Sequence, residues 1–223
     1  MADDYLGKKF EDFNAKKAVL SSIKKHKKTG INSLDSLILK NRSYRGYDEK
    51  YIVSKDELLE IVGVNSRIPS AKNQQVLRFK IVTSNEKEKV LRNIKLGSAL
   101  PELHLPLKGT APNAFIIICS SIKEDKWVNM DIGIASQTML LKATDLGLNG
   151  ICIGSFNKQE IITNFNLKLE PQLVIAIGKG IEKIQFIKLI KQVDSNLPDT
   201  SHNYYIKDSI HFVPKFGIED LLL

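Results

Sequence analysis

AFIIICSSIKEDKWVNMDIGIASQTMLLKATDLG runs from Ala114 to Gly147 and joins two segments of different character. The first, AFIIICSS, is a near-continuous apolar run rich in isoleucine. So short and β-branched a run predicts a central strand buried on both faces. The second, from Trp127 to Gly147, is long, apolar on most sides and closed by a glycine at a C′-type position. As a helix it would reach about 30 Å at 1.5 Å per residue. A helix so apolar all round has to be enclosed, in a core or between subunits. Trp127, at its head, reads as packing rather than as a stacking platform.

Working outward, NGICIGSF follows as a short strand or turn, NKQEIITNFNL as a helix, and PQLVIAIGKG as a last strong strand. The tail, NYYIKDSIHFVPKFGIEDLLL, shows rough alternation and then a short terminal helix. On the other side, Asn32 or Ser33 can cap a helix through Leu39, which breaks into a basic turn. Ser54 stands three residues before Glu57, the spacing of a capping box, in SKDELLEIVGVN. QVLRFKIVTS reads as a strand, NEKEKVLRNIKLGS as a helix ending near Gly97, and LPELHLPLKGTAPN as irregular. Strands separated by helices predict a mixed α/β or α+β class.

The chain has 223 residues, enough for one sizeable core or a core with an appendage. No apolar stretch reaches the roughly 18–20 residues of a membrane span, and the acidic N-terminal start is unlike a secretory signal. Cys119 and Cys152 are the two cysteines, both in apolar runs, and read as reduced core residues. A cytoplasmic location follows. The formal net charge of +8 favours anionic partners: nucleic acid, an acidic membrane surface or a phosphate-bearing cofactor. Much of the excess lies in AKKAVLSSIKKHKKTG, residues 15–30; residues 1–29 read as one or two basic amphipathic helices closed by Gly30. A solvated helix face explains that run better than a nucleic-acid contact, and no RNA-recognition or helix-turn-helix signature accompanies it.

Candidate binding groups gather in three places. NRSYRGY offers Arg42, Ser43 and Arg45 within four residues; guanidinium groups match phosphate oxygens bidentately and the hydroxyl adds a neutral donor. Its alternative is an ordinary surface loop. NSRIPSAKNQQVLRF gathers Pro69, Ser70, Asn73, Gln74 and Gln75 before a strand. Amides pair a donor with an acceptor and suit the edge of a pyrimidine-like ring; the alternative is a turn that satisfies its own backbone. GLNGICIGSF holds Gly147, Gly150 and Gly154, which allow backbone N–H groups to approach a flat ligand. The four histidines are scattered without metal-ligand spacing, and no dinucleotide fingerprint is present.

In this order, the R-S-x-R turn, P-S-A-x-N-Q-Q, the apolar strand, the D-x-G-x-A-x-Q helix, G-I-C-I-G-S-F and P-Q-L-V-I-A-I-G resemble the FMN-dependent nitroreductase family. The resemblance covers about residues 32–223, leaving residues 1–31 as a basic helical N-terminal extension. It implies an α+β sandwich with a central mixed β-sheet flanked by helices, forming an intertwined homodimer. It further implies FMN at the subunit interface, NADH or NADPH as co-substrate, and hydride passage through flavin N5 to a nitroaromatic, quinone or similar small-molecule acceptor by ping-pong turnover. By motif position, Arg42, Ser43 and Arg45 would hold the phosphate and the N1/O2 side of the ring. Asn73, with Pro69 and Ser70 shaping the loop, would meet the isoalloxazine or ribityl part. Gly154 and Ser155 would present N–H groups to N5 and O4, and Lys215 would add a phosphate contact. The acceptor side is expected in the Leu100–Pro112 loop. The sequence departs from the family pattern at Val76 and Leu77, where Pro-Trp is common, at Asn41, where arginine is frequent, and at Phe216, where a second basic residue is usual. Val76 and Leu77 leave the strand entry less rigid and remove an aromatic wall, while Asn41 and Phe216 imply a weaker phosphate clamp and so weaker FMN retention. A flavin-binding protein of this fold without turnover is the second reading, and a basic nucleic-acid-binding protein the third.

Overall fold

The structure, a computed structural model, describes residues 33–97, 104–189 and 203–223. The basic helices expected over residues 1–29 lie outside the described residues. Contacts divide the chain between Ser33 and Leu34, and the architecture below is that of the part from Leu34 onward.

Four strands form the larger sheet: β1 (Leu77–Val82), β2 (Ala114–Ser120), β3 (Asn149–Ile153) and β4 (Glu170–Gly178), in the order β1-β2-β4-β3. Every neighbouring pair is antiparallel. The run that reads as a central strand is one, and all of its residues are buried. Strand pleating sends alternate side chains to opposite faces. Ala114, Ile116 and Ile118 therefore enter one apolar cluster, while Phe115, Ile117 and Cys119 enter another. The first cluster is covered by α2 (Lys55–Gly63) through Leu58 and Ile61, and by α4 (Lys126–Asp145) through Val128, Ala135, Met139 and Ala143. The second is covered by α3 (Lys87–Leu91) through Val90 and by α5 (Lys158–Phe165) through Ile161. Helices on both faces of the sheet make the α+β sandwich, preceded by the short α1 (Leu34–Lys40).

Local chemistry sets these boundaries. The capping box of α2 forms in full: Ser54 Oγ accepts the Glu57 N–H at 3.2 Å, and Glu57 Oε2 accepts the Ser54 N–H at 2.8 Å. The long helix starts at Lys126, one residue before its apolar pattern, because Asp125 caps it: Asp125 Oδ1 accepts the N–H groups of Trp127 and Val128 at 2.9 and 2.8 Å. It ends where Gly147 takes φ +77°, a conformation open to glycine.

The enclosure of α4 is one-sided within a single chain. Trp127 is 42% exposed and Met130 54%, so Trp127 does not pack into this core as its sequence context suggests. The helix expected over NEKEKVLRNIKLGS is shorter than its pattern: a 3-10 turn at Ser84–Glu86 leads into α3, which stops at Leu91. Tertiary pairing takes the backbone beyond it. Ile94 bridges Phe156, Lys95 donates to the Ser155 carbonyl at 2.9 Å, and Asn157 donates to the Asn93 carbonyl at 2.8 Å.

A second sheet joins β5 (Lys183–Lys188), β6 (Tyr205–Lys207) and β7 (Ile210–Lys215) in the order β5-β7-β6. Parallel pairing occurs here, between β5 and β7. The tail alternation corresponds to β6 and β7, and the terminal turn Ile218–Asp220 follows. The sequence reading placed no element at KIQFIK, although its alternation of polar and apolar residues is that of β5. The cysteines part company as well. Cys119 is buried and its thiol is pushed up to about 11 by burial, whereas Cys152 is exposed, contrary to its core reading. Among the described residues Cys152 lies on an edge strand of the sheet. Among the described residues no helix is long and apolar enough to cross a membrane, and no cluster of side chains could hold a metal ion.

Candidate functional site

The basic turn begins where α1 ends. Arg42 folds back on that helix: its Nε donates to the Leu39 carbonyl at 2.9 Å and a terminal nitrogen donates to the Ile38 carbonyl. It thus satisfies carbonyls that the last helical turn leaves open. Its guanidinium also lies 4.0 Å over the Phe186 ring of β5, and burial lowers its pKa. Ser43, exposed, forms a parallel bridge with Gly150 of β3. Arg45 is held at three points. Its N–H donates to Glu182 Oε2 at 2.7 Å, its Nη1 to the Ser43 carbonyl at 2.9 Å, and its guanidinium lies 4.6 Å over the Tyr204 ring. Its Nε is buried with no hydrogen-bond partner.

The amide loop is wound tightly. Lys72, Asn73 and Gln75 have φ of 50°, 54° and 50°, left-handed values that L-residues rarely adopt together. Ser70 Oγ accepts the Gln75 N–H at 3.1 Å, and Gln75 Nε2 donates to Asn73 Oδ1 at 3.1 Å. The self-satisfied turn weighed for this sequence is therefore part of the answer. Pro69 and Asn73 remain exposed.

Both loops brace on α4. Asn41 Nδ2 donates to Gln137 Oε1 at 3.4 Å, and the Ala71 N–H donates to the buried Asp131 carboxylate at 2.8 Å. Asp131 and Gln137 are six residues apart, or about 9 Å along a helix axis. The D-x-G-x-A-x-Q pattern contains both residues, so the bracing was written in a motif whose role the sequence alone did not disclose. Between them Ser136 donates to the Gly133 carbonyl at 3.2 Å and stands beside Cys152 of β3, where desolvation raises the thiol pKa and the Ser136 hydroxyl lowers it in part. Gly154 and Ser155 close β3 and are exposed; a Cβ on Gly154 would meet nothing within 4 Å, so this position opens outward. Gly150 differs: a Cβ there would stand 2.6 Å from the Ala176 carbonyl oxygen, so protein rather than ligand needs this glycine.

Lys215 pairs with Lys188 in the β5–β7 register, while Phe186 pairs with Val213. Two residues along a strand keep the same face at roughly 7 Å, so Lys215 shares the face on which Arg42 rests. Lys188 is paired with Glu219 at 2.7 Å. A cavity of about 250 Å³ opens beside the amide loop, lined by Ile68, Pro69, Ser70, Val76, Leu77 and Phe79 among others. Val76 and Leu77 are where the sequence lacks the usual Pro-Trp pair. Sequence reasoning missed Glu182 and Tyr204, which contact Arg45, and His211, which stands behind Glu182.

The nitroreductase family model matches residues 38–103 and 100–179. The chain belongs to the nitroreductase family. Among curated relatives, a Bacillus subtilis protein, YodC, provisionally named an NAD(P)H nitroreductase, is 24% identical over 68% of this chain and 91% of its own length. A Methanocaldococcus jannaschii protein, MJ1384, provisionally named a nitroreductase, is 35% identical over 57 residues, which span 26% of this chain and 29% of that protein. The fold matches a crystal structure from Desulfovibrio desulfuricans, provisionally named a nitroreductase and solved in complex with FMN. It has a TM-score of 0.56 at 20% identity, covering 69% of this chain and 89% of that one.

Proposed function

We propose that this nitroreductase-family chain binds FMN and uses NADH or NADPH to reduce a small oxidised acceptor, as a homodimer. The observation that carries the reading is Arg45. Its buried, unpaired Nε sits on a turn braced along the same helix as the amide loop. A buried donor without a partner is costly unless a ligand satisfies it. The surrounding set, Arg45, Ser43, Arg42 and Lys215, is cationic and rich in N–H and O–H donors, which fits a phosphate-bearing flavin.

In this reading Arg45 and Ser43 hold the phosphate and the N1/O2 side. Arg42, largely engaged with α1, contributes charge more than a free fork. Lys215 adds a cation from the C-terminal sheet. Pro69, Ser70 and Asn73 shape the polar loop toward the ring, and Gly154 and Ser155 offer the open backbone at the end of β3. When bound, FMN supplies the hydride chemistry. The chain supplies position and charge: a guanidinium beside the N1/O2 edge favours the reduced, anionic form. No side-chain acid or base is assigned. The exposed face of α4, with Trp127 and Met130, is where a second copy would complete the enclosure that its sequence demands. The irregular segment from His104 to Pro112 borders the basic turn, since Tyr47 donates to the Thr110 carbonyl at 3.0 Å, and is the proposed acceptor side.

The purified protein should be yellow, bleach on addition of reduced nicotinamide and recolour with a quinone or nitroaromatic. R45A should lose most of its flavin. A colourless protein that takes up no added FMN would defeat the proposal, and bound FMN that nicotinamides leave oxidised would select the non-turnover reading instead.

A further inference from the structure

We propose that Glu182 is a positioning residue: it fixes the Arg45 main chain and clips the basic turn to the C-terminal sheet. Glu182 lies just before β5, and its side chain is only 10% exposed. A carboxylate so buried persists where donors meet it. One oxygen, Oε2, accepts the Arg45 N–H at 2.7 Å, within the short range of charge-assisted bonds. The other, Oε1, faces His211 Nε2 of β7 at 3.5 Å, and His211 is 13% exposed.

The main chain repeats the link. Ile181 donates to the Gly46 carbonyl at 3.2 Å, Asp48 donates to the Lys179 carbonyl at 2.8 Å, and Tyr47 bridges Gly180. A Cβ on Gly46 would lie 3.4 Å from Glu182 Cγ, in ordinary van der Waals contact, so the residue after Arg45 adjoins this side chain. Tyr204, just ahead of β6, provides the ring under the Arg45 guanidinium. The C-terminal sheet and the segment leading into it thus surround Arg45. Of the four buried side-chain polar atoms without partners among the described residues, three belong to this cluster: Arg45 Nε, Tyr204 Oη and His211 Nδ1.

A carboxylate does not itself hold a phosphate, because like charges repel. Glu182 therefore acts through Arg45. A directional bond to the main-chain N–H sets the backbone of the turn, and the backbone sets where the guanidinium points. The inference uses the flavin reading only for what Arg45 holds; the clip itself is a property of the chain.

Amide hydrogen exchange and FMN affinity, measured on E182A, E182Q and H211A, test it. Exchange is followed with the flavin bound and after its removal. In E182A the Arg45 amide should exchange at least ~10-fold faster while amides of β2 and β4 keep their protection, and the FMN Kd should rise roughly tenfold or more. E182Q keeps an acceptor oxygen and should restore most of the Arg45 protection. H211A, which leaves Arg45 untouched, should show a smaller shift in the same direction and carries the test should E182A fail to fold. Wild-type protection at Arg45 together with wild-type FMN affinity in E182A, or in H211A where E182A is unfolded, overturns the proposal. A wild-type protein that binds no FMN would defeat the flavin reading alone, since exchange in the flavin-free protein still reports the clip.

Discussion

Ile116 and Ile206 are both isoleucines on strands, yet the first is fully buried and the second 39% exposed. The difference holds for their sheets. Every residue of β2 is buried, and the four-stranded sheet closes its core within one chain. The small sheet buries none of its strand residues fully and is joined to the rest by polar and ring contacts: Glu182 with Arg45 and His211, Arg42 over Phe186, Arg45 over Tyr204. One sheet is held by apolar burial, which is non-directional and large. The other is held by directional contacts that place side chains but add little stability each. Of the proposed cofactor groups, Lys215 lies on the second kind of structure, Arg42 and Arg45 lie at its seam with the first, and Pro69, Ser70, Asn73, Gly154 and Ser155 lie on loops of the first.

The contrast breaks most readily at two phenylalanines. Phe115 is fully buried in β2, and F115A should cost about 3–5 kcal/mol in urea unfolding. Phe212 of β7 is partly exposed and stacks on Tyr205 at 5.2 Å, so F212A should cost only about 1 kcal/mol. Equal losses would refute the division. A loss in F212A that grows as protein concentration falls would sharpen it, because it would place the small sheet at a subunit interface.

The seam is the next place to press. A Cβ on Gly150 would stand 2.6 Å from the Ala176 carbonyl oxygen and 2.7 Å from Leu140 Cδ2. The carbonyl belongs to β4 and cannot swing aside, so G150A should cost about 1–3 kcal/mol. Because Gly150 also bridges Ser43, the same change should disturb the basic turn and weaken FMN retention. Thermal unfolding and flavin content measure the two effects. Normal stability in G150A would show that the strand can shift without loss.

How far the sequence foretold this arrangement follows the same division. β2, α4, the Ser54–Glu57 box and the Gly147 stop were legible because each is a local pattern, and burial period and capping act over a few residues. α3 was read too long because its end is decided by pairing with residues around Ser155, far along the chain. β5 alternates over only six residues and its partner β7 lies beyond residue 200, so its local signal is short and its pairing is not local. At the site, Arg42, Ser43, Arg45, Ser70 and Asn73 could be singled out by side-chain chemistry and spacing. That Arg42 is spent on α1, and that Glu182 rather than another cation stands behind Arg45, depends on contacts between distant segments, which spacing does not encode.

The smallest expected effect lies in the amide loop. Lys72 is exposed with φ 50°, and its left-handed backbone costs an L-residue with a Cβ about 1 kcal/mol or more. K72G removes that strain but also gives the unfolded chain more freedom, which works the other way. The net gain in stability should be a few tenths to about 1 kcal/mol. If the loop is strained in order to present Asn73 to a ring, the same change should raise the FMN Kd while raising Tm, since a freer loop must be ordered on binding. Opposite signs in the two measurements would tie the strain to ligand placement. A variant that is more stable and binds flavin as well as wild type would leave the strained loop a feature of folding alone, and would move the weight of recognition back to the Arg45 turn.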